Sequence, residues 1–142
     1  MYLRALCVWG GLLVLAIVNG ALREATLVPA FGDGVAHAIS SITLAAAILV
    51  LAWMTIGWIA PATPAAAWRV GGMWLGLTLA FEFLAGHYLF GTSWRVLLAD
   101  YDLLHGRLWL VVLAATLVAP FVAGRPHRPR VSERRSAIAR RA

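Results

Sequence analysis

A chain of 142 residues that is 62% hydrophobic and 13% charged, with a mean hydropathy of +0.83, is too apolar for a soluble domain and reads as an integral membrane protein. The formal net charge of +6 is concentrated at one end: the stretch from Arg125 to Ala142 holds seven arginines and one glutamate, and the rest of the chain holds five arginines against five acids. Cys7 is the only cysteine, which excludes an intrachain disulfide and any cysteine-rich zinc or iron–sulfur centre.

Four apolar segments follow in order, at about Ala5 to Leu22, Val35 to Ala60, Val70 to Phe90 and Leu103 to Ala123. Each is near or above the ~20 residues that a helix needs to cross a hydrocarbon core. The expected fold is therefore all-α: a polytopic membrane protein built as an antiparallel bundle of four transmembrane helices over residues 1–124. A cleaved signal peptide is the weaker reading of the first segment, because Arg4 stands alone in a short n-region and Val18-Asn19-Gly20 is a poor cleavage signal.

The connections, Arg23 to Gly34, Pro61 to Arg69 and Gly91 to Asp102, are short, so consecutive helices are expected to be antiparallel neighbours. Pro61 and Pro64 are expected to stop the second helix. In the third connection Thr92 or Ser93 can cap a short helix with an apolar stripe of Trp94, Leu97, Leu98 and Tyr101, a piece suited to lying flat at the membrane surface. The tail over residues 125–142 is proline-broken and arginine-rich, and is expected to be disordered, cytoplasmic and in contact with anionic lipid head groups.

Arginine bias sets the orientation. With both termini cytoplasmic, Arg4, Arg69 and the tail arginines share that side, leaving Arg23 and Arg95 outside and Arg107 just inside the fourth helix. The absence of lysine beside abundant arginine and alanine suits a bacterial genome rich in G and C, so the expected location is a bacterial cytoplasmic (inner) membrane.

This orientation places the polar residues by depth. Glu82 lies about 12 residues into the third helix, roughly 18 Å from the cytoplasmic edge, and Arg107 sits roughly 6 Å below the outer one. Asn19, Arg23 and Glu24 end the first helix on the outer side, His37, Ser40 and Ser41 begin the second there, and His87 and Asp100 fall near the same surface. Charges near a helix centre cost roughly 2.5–3.5 kcal/mol on insertion scales and usually mark function or a brace. Glu82 with Arg107 is the first expected pair, and Arg23 with Glu24 or Asp100 the second.

At ~100° per residue, Gly71, Thr78, Glu82 and Gly86 share one stripe, Asn19 and Arg23 another, and His37, Ser41 and Leu44 a third. Glu82, His87, Arg107, Asn19, Arg23, Glu24, His37 and Asp100 together form the expected outward-facing polar cluster. Trp53, Trp74 and Trp109 read as lipid-facing or packing residues. His37, His87, His105 and Glu82 are ligand types, but without i, i+3 or i, i+4 pairing they do not make a metal site. No nucleophile motif, phosphate-binding loop or HExxH is present, and neither a cofactor nor a nucleic acid is expected.

The runs NGALRE (Asn19 to Glu24), FExxxGHYxxGxSW (Phe81 to Trp94) and DYxxxxGRLW (Asp100 to Trp109) resemble a group of small four-span bacterial inner-membrane proteins. The resemblance spans most of residues 10–123 and implies the four-span fold without implying an activity; Asp102 departs from it, standing where an asparagine is expected. Two functions fit these residues ahead of a third, a membrane enzyme using Glu82 or His87 as general base, which ranks last because no nucleophile is evident. The cluster binds or transports a small solute or lipid head group, or the charges brace a subunit that docks on another copy or on a membrane partner.

Overall fold

The computed structural model describes residues 1–89, 91, 93–95 and 108–124, and all of its regular structure is helical. Among the described residues, four long helices make up the fold. The first, α1, runs over Tyr2–Phe31; α2 is Asp33–Ile59; α3 starts as Pro64–Leu84 and continues through a π-helical turn at Ala85–Leu89; α4 is Trp109–Gly124. Two of them, α1 with 30 residues and α2 with 27, are long and apolar enough to cross a membrane. In α3 the charges of Arg69 and Glu82 and the three glycines between them dilute an otherwise similar apolar run.

The helix ends have local causes. The first helix does not stop at the charged pair Arg23-Glu24: it widens into a π turn over Arg23–Leu27 and adds a last α turn, Val28–Phe31. Charge on a side chain does not interrupt backbone hydrogen bonding, so the expected loop from Arg23 to Gly34 is mostly helix. What ends α1 is Gly32, whose φ of 78° is cheap only for glycine. Ala60 closes α2 in the left-handed region, donating its N–H to Ile56 O at 2.8 Å, and Pro61 cannot extend the helix. Pro64 was expected to help stop α2; instead it opens α3. Thr63 caps that helix, its Oγ1 accepting from Ala66 N at 3.1 Å, and Pro64 occupies the first turn, where no N–H is needed.

Directions alternate along the chain, but the helices are not neighbours in chain order. Around the bundle the order is α1, α2, α4, α3, with α2 and α3 barely touching across the diagonal. The fourth helix is wedged between them. It runs antiparallel to α3, pairing Trp109 with Glu82 at one end and Leu117 with Gly71 further along, and parallel to α2, with Val112 and Thr116 level with Leu44 and Ile48. Short connections constrain direction more tightly than they constrain which helices pack together, since a four-residue link still reaches across a narrow bundle.

The core is built from Ala5, Val8, Leu12, Leu44, Ile48, Ala52, Ile56, Val70, Trp74, Val112 and Ala119. Gly71 has a steric reason to be glycine: a Cβ there would overlap the carbonyl of Leu117, so α3 and α4 are in backbone contact. Gly72 and Gly76, the GxxxG pair, point away from the bundle and would meet nothing within 4 Å. At the end carrying the N-terminus, Arg4 donates to Trp58 O at 2.9 Å and lies 5.7 Å from the Trp58 ring centre, while Trp68 stacks on Phe121 at 4.8 Å.

Candidate functional site

The polar residues of α1 and α2 meet at the end of the hairpin farthest from the N-terminus. Asn19 donates through Nδ2 to Ser40 Oγ at 2.6 Å and Ser40 O at 3.3 Å. One turn further on, Arg23 reaches in two directions. Its Nε and Nη2 donate to Glu24 Oε1 at 3.2 and 2.8 Å, and its Nη1 meets His37 Nδ1 at 3.1 Å. Arginine only donates, so His37 Nδ1 accepts and the ring proton sits on Nε2. His37, Ser40 and Ser41 are buried, whereas the Arg23 side chain is 27% exposed and that of Glu24 62%. The cluster thus grades from a buried imidazole, through a half-buried guanidinium, to an open carboxylate.

The π turn explains part of this geometry. On an α-helix, residues adjacent in sequence point about 100° apart and do not face each other. Arg23 and Glu24 open a π-helical turn, and the long arginine side chain folds back onto its neighbour while still reaching α2. The second π turn, Ala85–Leu89, contains His87. Such turns are rare and concentrate at functional sites, so two at this one end of the bundle set it apart from the other.

Glu82 and His87 belong to other groupings. Glu82 Oε2 accepts from the indole Nε1 of Trp109 at 2.8 Å, which links α3 to α4. One turn back on the same face of α3, Thr78 Oγ1 accepts from Trp9 Nε1 at 3.2 Å, which links α3 to α1. His87 stacks on Trp94 at 4.3 Å, meets Tyr88 edge-on at 4.9 Å, and shares Trp94 with Phe83, whose ring centre lies 6.0 Å from it. The expected stripe of Gly71, Thr78 and Glu82 therefore does face neighbouring helices. Arg107 and Asp100 lie outside the described residues, as do His105, Asp102, the remainder of the expected surface helix beyond Trp94 and Arg95, and the tail.

Trp74 and Trp109, expected as lipid-facing or packing residues, both pack in the core, and each also makes a hydrogen bond that the expectation did not include: Trp109 donates to Glu82, and the fully buried Trp74 donates to Ala5 O at 2.8 Å. An indole N–H inside an apolar bundle needs an acceptor, and that requirement was the available signal. Trp53, 58% exposed on the outer face of α2, fits the expectation.

Between these links lies a cavity of about 30 Å³, lined by all four helices through Trp9, Leu44, Thr78, Trp109 and Thr116 among others. It has room for about two water molecules and none for a substrate. Among the described residues, no group of three or more His, Cys, Asp or Glu stands together to hold a metal ion. No family model, curated protein or solved structure matches the chain.

Proposed function

We propose that the chain is a four-span protein of a bacterial cytoplasmic membrane, with both termini inside, whose outer end binds a small solute or a lipid head group where α1 meets α2. Membrane insertion is supported by the outer surface: Val14, Ile17, Ile42, Val50, Met54 and Val122 are all between 48% and 68% exposed. Only 17% of the apolar window of α1 and 33% of that of α2 are buried within the bundle, so neither behaves as the core helix of a soluble protein. The α portion of α1, Tyr2–Leu22, spans about 31 Å at 1.5 Å per residue and delivers Arg23 to the head-group level.

The observation that carries the binding reading is the Arg23 guanidinium, fixed by buried His37 on one side and exposed Glu24 on the other. A charge held in place by its neighbours at a membrane boundary is organised for a ligand before the ligand arrives. Native mass spectrometry of the gently solubilised protein tests it. A retained small-molecule or lipid adduct should be lost in Arg23→Ala and His37→Ala at unchanged expression and melting temperature; full retention in both variants rejects the reading.

A second reading, a non-enzymatic accessory subunit, is favoured by Glu82–Trp109 and Trp9–Thr78. These spend interior polar groups on holding helices together, around a cavity too small for transport. A stable partner or second copy in the same mass spectra, with no small adduct, selects this reading.

A further inference from the structure

Resting on the reading that the outer end of α1 and α2 binds a ligand, we infer that the ligand is a zwitterionic lipid head group of the phosphoethanolamine type, its phosphate on Arg23 and its ammonium on Glu24. Arg23 has five N–H groups, of which one at each of Nε, Nη1 and Nη2 is engaged, leaving two for phosphate oxygens. Glu24 takes both of its arginine bonds on Oε1, so Oε2 is open on a side chain that is 62% exposed. The site thus presents a cation and an anion in contact at 2.8 Å, both with capacity left toward solvent.

Charge decides among head groups. An anionic lipid gains Arg23 but meets the Glu24 carboxylate, with exposed Asp33 on the same side of the bundle; a cation gains Glu24 and meets Arg23. A molecule carrying both charges a short link apart satisfies both residues. A primary ammonium also donates hydrogen bonds to a carboxylate, which a quaternary choline nitrogen cannot do. The acyl chains have a track: Val14, Ile17 and Ala21, exposed and spaced by three and four residues, form one stripe that leads to Glu24. That stripe favours a lipid over a free phosphoethanolamine.

The test is lipid retention by the full chain in nanodiscs and native mass spectrometry, using phosphatidylethanolamine, phosphatidylcholine and phosphatidylglycerol of identical chains. The wild type should retain the ethanolamine lipid about fivefold better than either of the others, the size expected for one exposed ion pair. Glu24→Gln, on an exposed side chain, should fold normally and bring the ethanolamine and glycerol lipids to near equality. Equal retention of all three by the wild type, or a preference untouched by Glu24→Gln, overturns the head-group assignment. If in addition Arg23→Ala retains every lipid as the wild type does, the binding reading falls with it; if Arg23→Ala loses them all, the site stands and its ligand class is wrong. Displacement of the lipid by millimolar soluble phosphoethanolamine would overturn the lipid assignment in favour of a soluble zwitterion.

Discussion

Trp109 at the start of α4 donates its indole N–H to the Glu82 carboxyl of α3 across 2.8 Å, which ties this acid to another helix. One turn below, Trp9 of α1 donates to Thr78 on the same face of α3. Each indole gives the polar group an acceptor role inside an apolar bundle, and each loses an otherwise costly unsatisfied N–H. The third helix, the least apolar of those that fill the bundle, is thereby held from both sides.

This pair should be measurable as a coupling energy. Interhelical hydrogen bonds in membranes average ~0.6 kcal/mol and reach ~1.7. A double-mutant cycle of Glu82→Leu and Trp109→Phe, read by reversible unfolding in detergent, should give about 0.6–1.7 kcal/mol. A coupling indistinguishable from zero would mean that the two side chains do not interact in the folded protein.

The glycines of α3 make a sharper contrast. Gly71→Ala forces a methyl group into the Leu117 carbonyl and must separate α3 from α4, an overpacking cost of about 1–3 kcal/mol. Gly72→Ala and Gly76→Ala meet nothing and relieve the entropic cost of glycine in a helix, so the monomer should be as stable as the wild type or slightly more so. Thermal unfolding of the three variants checks the order; a Gly72 variant weaker than the Gly71 variant contradicts the packing.

That contrast also marks where sequence reasoning stops. Four apolar runs are visible as helices because hydropathy is a local property, and the Arg23–Glu24 pair is legible because its members are adjacent. The neighbour of each helix is not legible, because one apolar stripe resembles another: the stripe of Gly71, Thr78 and Glu82 marks a packing face of α3 without saying that α4 meets it at Gly71 and Glu82 and α1 at Thr78. Trp74 and Trp109 were ambiguous for the same reason, since lipid and protein interior are equally apolar and only the indole N–H tells them apart. The π turns leave no local signal; Arg23 and Glu24 looked like the end of a helix because charge usually accompanies loops, yet the backbone ladder continues to Phe31.

His37 gives a spectroscopic prediction. Because Arg23 donates to Nδ1, the imidazole should carry its proton on Nε2, and ¹⁵N chemical shifts of the histidine-labelled protein should show that single tautomer. Arg23→Ala removes the donor and should allow the other tautomer to appear. A wild-type spectrum dominated by the Nδ1-protonated form would exclude the Arg23–His37 bond.

Topology follows from where the turns and charges lie. The α1–α2 turn at Gly32 and Asp33 is at the end bearing Arg23 and Glu24, while residues 60–63, between α2 and α3, share an end with Arg4 and Arg69. On the proposed membrane reading, the two described arginines at the latter end, together with the seven that follow residue 124 in sequence, predict under the positive-inside rule that this end faces the cytoplasm. Cys7, exposed on α1, must first be replaced by alanine, which leaves a background without cysteine. In that background Asp33→Cys should react with a membrane-impermeant maleimide in intact cells, and Ala62→Cys should react only after permeabilisation. Both positions are exposed and lie at a helix boundary, so labelling reports the side of the membrane and not burial. The reverse pattern would place Arg23 and Glu24 in the cytoplasm and turn the proposed head-group site toward the inner leaflet, while labelling of both positions from outside would rule out α2 as a membrane span.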